Sequence, residues 1–268
     1  MGTLSSVKAF VTAVAAETSE KHVTFLAGGI AYNAFISMVP LLLFLLFAIS
    51  FFGPGLEERV LELVTNNVSQ TIGTLLEEIL KRQSEGATGS SLVGLVVLVW
   101  GALKIFRGLD TAFSEIYESD TENSFLDQIK DGLVVLVSLV LSIAALVVAT
   151  SVFAAFASAV DYLGLALPLV LAAGLVLAFL PMYYVFPDTD VTIREILPGV
   201  LFAAVGWALL QGLFQIYVAI STRGEAVGLL TGIMLLLAWL YFSGVVMLVG
   251  VVINAVHGGY TSRGVGAP

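Results

Sequence analysis

The chain has 268 residues, of which 59% are hydrophobic and only 12% charged, roughly half the charged fraction of a soluble domain. Its 20 acidic residues outnumber 11 basic ones, for a net charge of −9, and this acidic, Lys-poor balance argues against binding of nucleic acid or anionic headgroups as the main task. Cysteine is absent, which excludes a disulfide framework, a thiolate nucleophile and a Cys metal site.

The first 22 residues hold a weak apolar run, 9–16, followed by Glu17, Glu20, Lys21 and His22. They read as a short amphipathic helix at a membrane surface. Six stretches with no Asp, Glu, Lys, Arg or His then follow: 23–56, 86–103, 132–160, 162–187, 196–222 and 226–256. A helix needs roughly 20 apolar residues to cross a hydrocarbon core of about 30 Å. The pattern predicts an all-α, polytopic membrane bundle of six transmembrane helices at 25–52, 90–110, 132–159, 163–186, 196–220 and 226–256. It forms a single domain over 1–268 with its core at 24–260. With the N-terminus inside, the cytoplasmic side holds Lys8, Lys21, Lys104, Arg107, Lys130, Arg194 and Arg263, against Arg59, Lys81, Arg82 and Arg223 outside. The positive-inside rule therefore predicts a multi-pass protein of the cell (plasma) membrane with both termini cytoplasmic.

The first span carries Asn33, Ser37 and Pro40. Pro40 has no backbone N–H, so a kink is predicted there. Asn33 and Ser37 beside it could line a cavity or bond to neighbouring helices. The segment 54–89 has apolar residues at helical spacing and glutamates on much of the opposite face, which predicts an amphipathic outer cover. Near the end of the second span, Arg107 stands three residues before Asp110. This basic pair with Lys104 either snorkels to the interface or floors a central cavity that binds an anionic group.

The third span is rich in Ala and Ser. After the fourth, Thr192 with Glu195 fits a capping box. Pro198 then either kinks that helix or opens the fifth span as its first residue. Gln211 and Gln215 in the fifth span and Asn254 in the sixth are further cavity candidates, or interhelical hydrogen-bond formers. Gly224, Gly228 and Gly232, four apart, read as a helix-packing face or a homo-oligomer seam.

There is no phosphate-binding loop and no nucleophile elbow, and His22 and His257 are too few for a common His-based metal centre. No metal, cofactor or enzymatic activity is expected. The partners expected are the lipid bilayer and a lipid or amphipathic substrate, with no nucleic acid.

Four segments carry a family likeness: LAGGIAYNAFISMVPLLL, WGALKIFRGLDTAFSEIYE, LPMYYVFPDTDVTIREILPGVLFAAVGW and LLAWLYFSGVVMLVGVVINAV. In this combination and order the chain resembles the YihY/BrkB family of six-span inner-membrane proteins. The resemblance covers about residues 5–258. It matches the family's characteristic positions at Tyr32, Ser37, Pro40, Phe106, Arg107, Pro181, Pro198, Gly199, Trp239, Gly250 and Asn254. It implies a fold and a membrane location more firmly than an activity. The family's old label of ribonuclease BN is widely regarded as an error. Two functions fit the residues: a transporter or flippase-like protein for a lipid or amphipathic solute, and a non-transporting scaffold of the envelope.

Overall fold

A computed structural model describes residues 2–52, 91–119, 130–138, 141–142, 167–221 and 229–261. The expected outer cover at 54–89, most of the third span, Gly224 and Gly228 lie outside the described residues. Among those described, the secondary structure is entirely helical. The helices are α1 (Gly2–Glu20), α2 (Val23–Phe52), α3 (Ser91–Tyr117), α4 (130–138), α5 (Leu167–Val185), α6 (Ile193–Ser221) and α7 (Leu229–Gly258). The chain divides into two compact units, Met1–Tyr32 with Phe106–Pro268, and Asn33–Ile105.

Local chemistry sets the helix ends. Between α1 and α2, His22 takes a left-handed backbone conformation (φ 49°), which breaks the helical path for one residue. The start of α6 is a capping box. The Glu195 carboxylate accepts the Thr192 backbone N–H at 2.9 Å, and the Thr192 carbonyl accepts the amides of Glu195 and Ile196. The helix therefore begins at Ile193, and Pro198 lies inside it. Likewise α2 continues through Pro40.

In the larger unit, α6 packs most extensively on α7, and α5 packs on α6. The α6–α7 pair is antiparallel: Gly199 faces Gly250, Gly206 faces Val246, and the Trp207 indole N–H donates to the Ser243 carbonyl at 3.3 Å. Edge-to-face aromatic contacts link Phe113 to Tyr183 and Phe186, Phe179 to Tyr183 and Trp207, and Trp207 to Trp239. Such pairs add about 0.5–1.5 kcal/mol each beyond the area they bury. Around them Val23, Ala27, Ile116, Ile196, Val200, Leu248 and Val251 are fully buried.

In the smaller unit, the buried Ser37 hydroxyl donates to the Gly101 carbonyl at 2.6 Å and ties α2 to α3.

Many large apolar side chains also face outward. Phe25, Leu209, Leu213 and Ile216 are each at least 60% exposed. Ile193–Tyr217 and Thr231–Gly258 are long and apolar enough to cross a membrane, and only 28% and 39% of their most apolar windows are buried. The core helix of a soluble protein would be mostly buried, whereas a helix with apolar side chains on every side suits hydrocarbon. Val23–Met38 and Ala172–Val185 are shorter apolar helices.

Candidate functional site

The polar chemistry of the larger unit gathers where helix ends meet. At the junction of α1 and α2, the Lys21 ammonium donates to Glu118, one residue past α3, at 2.7 Å. Tyr117 at the end of α3 packs at a tilt against Tyr260, just past α7, with ring centroids 5.3 Å apart. The Tyr260 hydroxyl donates to the Asp190 carbonyl at 2.9 Å and lies 3.4 Å from the Glu195 carboxylate. Burial, and then the Glu195 charge, push the Tyr260 phenol above its ordinary value of 10.0.

About two turns of α3 inside this layer, three carboxylates from three elements converge. Asp110 on α3 is buried at 3% exposure. Asp131 on α4 and Asp188 after α5 are half-buried, and one carboxylate oxygen from each of the three lies within 4.8 Å of the others. Ser114, one turn after Asp110, donates its hydroxyl to Asp188 at 3.1 Å. Asp188 is held in a left-handed backbone conformation (φ 50°), which Asp tolerates better than most residues. Three carboxylates so close repel one another unless cations or protons offset them. A set of oxygen donors of this kind also suits a hard cation. Arg107 lies one turn before Asp110 on the same face of α3, half-buried. Glu17 on α1 is a further carboxylate with no exposed surface.

The other sequence candidates fall into distinct places. Asn254 is buried in the α6–α7 seam, and its side-chain oxygen accepts the Gly199 backbone N–H at 2.6 Å. Gly250 lies alongside, and the fully buried Tyr183 of α5 donates its hydroxyl to the Met247 carbonyl at 2.6 Å. A Cβ on Gly250 would meet both the Tyr183 hydroxyl and the Gly199 carbonyl, so only glycine admits this approach. Ser37 is bonded to Gly101, and Asn33 is half-buried one turn before it. Gln211 and Gln215 are exposed on α6. Gly232 is exposed, with open space where a Cβ would stand.

Sequence reasoning did not group Asp131 and Asp188 with Asp110. A signal was present: each of the two flanks a charge-free stretch at an end that span alternation assigns to the same side as Arg107.

Together, the outward-facing apolar helices and the polar junction at one set of helix ends define a helical membrane protein. The family model described as "Virulence factor BrkB" matches residues 14–265. The chain belongs to the BrkB family. It is 25% identical over 253 residues to a UPF0761 membrane protein of Kangiella koreensis, covering 92% of this chain and 63% of that one. It is 24% identical over 245 residues to a ribonuclease-like protein, YfkH, of Bacillus subtilis, covering 84% and 86%. A UPF0761 membrane protein of Aromatoleum aromaticum is 28% identical over 245 residues, covering 85% and 58%. The chain thus spans less than two thirds of the length of two of these relatives. No solved structure matches the chain.

Proposed function

We propose that the protein is a six-span transporter or flippase-like protein of the plasma membrane, with both termini in the cytoplasm, moving a lipid or amphipathic solute. The observation that carries this reading is the burial of Asp110 in a helix of a membrane protein, one turn from Arg107 and beside Asp131 and Asp188. Buried ionisable groups in membrane proteins are expensive, and they commonly mark ion or substrate pathways. Both signs of charge at one end of the bundle suit a headgroup with its own charge and counter-charge. The apolar flanks of α6 and α7 suit an acyl chain.

The seven basic residues that span alternation puts on this side, against four on the other, favour the cytoplasmic side. Reconstitution into liposomes tests the reading. Faster transbilayer movement of at least one lipid class than in protein-free vesicles is expected, and no acceleration for any class counts against it.

A second reading, a scaffold without transport, is favoured by one observation: two glutamine amides face outward from the apolar surface of α6.

A further inference from the structure

We infer that α1 is a strap closed over the polar junction of helix ends, and that the Lys21–Glu118 ion pair is its latch. Phe10, Val14 and Glu17 recur at helical spacing and form one face of α1. Lys21, whose amide still donates to the Glu17 carbonyl at 2.9 Å, continues that face. The face turns inward: Glu17 has no exposed surface, and α1 packs on α7. Lys8, Val11, Thr12, Ala15 and Ser19 on the other side are exposed. The inner face is pinned at two points. Phe10 meets the His257 ring of α7 edge-on, with centroids 6.5 Å apart, and the Lys21 ammonium meets the Glu118 carboxylate at 2.7 Å. The pins are separated by about 16 Å of helix at 1.5 Å per residue. Directly after Lys21, the left-handed backbone of His22 (φ 49°) turns the chain into α2 and marks the hinge.

Glu118 shows that the pair is more than a surface contact. α3 and α7 end in the same cap, in which an amide bonds back to the carbonyl five residues earlier: Ser119 to Ser114 at 3.2 Å, and Tyr260 to Ala255 at 2.9 Å. The residue before that amide takes the left-handed conformation. In α7 it is Gly259 (φ 77°), the residue such a cap prefers. In α3 it is Glu118 (φ 55°), whose Cβ makes the same conformation costly. Capping therefore does not account for a glutamate here, and its carboxylate does. That carboxylate reaches Lys21, whose side chain is only 12% exposed. Loss of the pair leaves a mostly buried ammonium without this counter-charge, which favours the lifting of α1 and the entry of water. Lifting of α1 would bring water to Glu17. This inference stands whether or not the protein transports a lipid.

The natural absence of cysteine makes the test direct. E17C places one thiol on the buried face of the strap, and A203C places one in the fully buried part of α6 as a control. Each full-length protein is purified in detergent, and its rate of labelling by a charged, water-soluble maleimide is followed by mass. In the E17C background, E118G should raise the rate about fivefold, the scale of one partly buried ion pair. E118G is chosen because glycine suits the α3 cap better than glutamate, so faster labelling cannot come from a weakened cap. K21E and E118K should each raise the rate as well, and the two together should return it to within about twofold of E17C alone, because the pair is re-formed with its charges exchanged. A203C should label slowly in every background. Unchanged labelling in E118G, a charge exchange as fast as either single variant, or equal acceleration at A203C would each overturn the proposal.

Discussion

The Asn254 side-chain oxygen accepts the backbone N–H of Gly199 at 2.6 Å, across the seam between α6 and α7. The donor follows Pro198, which has no N–H and whose ring disfavours the regular helical bond at the turn before it. Asn254 thus adds a bond from α7 to a backbone N–H of α6. The seam is close because neither Gly199 nor Gly250 has a side chain, and a Cβ on Gly199 would run into the Gly250 carbonyl.

This arrangement makes a contrast between glycines. G199A should lower stability by about 1–3 kcal/mol through overpacking, and N254A by about 1 kcal/mol through loss of the hydrogen bond across the seam. G232A, where the space is open, should be neutral or stabilising by up to about 1 kcal/mol through helix propensity. Apparent unfolding temperatures in one detergent compare the three. Equal effects of G199A and G232A would contradict the seam as described.

Tyr183 gives a second measure of the same core. Its hydroxyl donates to the Met247 carbonyl, and its ring packs on Phe113 and Phe179. Y183F keeps the ring and should cost about 1 kcal/mol, the net worth of one hydrogen bond. Y183A also leaves a cavity and should cost about 3–5 kcal/mol. Thermal unfolding of both variants checks the ordering, and an equal loss would mean that the ring contributes nothing.

Much of this architecture was legible in the chain. The charge-free stretches coincide with α2, the first half of α3, α5, α6 and α7, and the last two of these are long and apolar enough to cross a membrane. The Thr192–Glu195 capping box was readable as a local spacing, and it decides that Pro198 lies inside α6. The site was less legible. Asp110, Asp131 and Asp188 are 21 and 57 residues apart in sequence and meet only through packing. Asn254 and Gln215 looked alike as polar residues within spans. The fold separates them, with Asn254 in the seam and Gln215 on the outer face. Which side of a uniformly apolar helix faces inward is set by its neighbours, and a helix apolar all round carries little trace of it.

A pH dependence follows from Tyr260. Its phenol is raised above 10.0 by burial first and by the Glu195 charge second. The neutral form is therefore favoured by the fold. Its contribution is fully present below the unfolded value and is lost as pH rises through the higher folded value. The difference in tyrosinate absorbance between the native protein and Y260F should titrate above pH 10.0. A midpoint at or below 10.0 would contradict the packing of Tyr260 against Asp190 and Glu195.

The central claim, that the charged cluster at the helix ends serves the movement of an amphipathic molecule, is tested most directly in proteoliposomes. Fluorescent phospholipid is placed in both leaflets, and its accessibility to an external quencher is followed in time. Native protein should expose inner-leaflet lipid faster than protein-free vesicles. R107A and D110N, each checked for native helicity and size, should slow this at least about tenfold, equivalent to roughly 1.4 kcal/mol of lost stabilisation. Exposure at the native rate in both variants, or no acceleration by the native protein for any lipid class, would contradict the account.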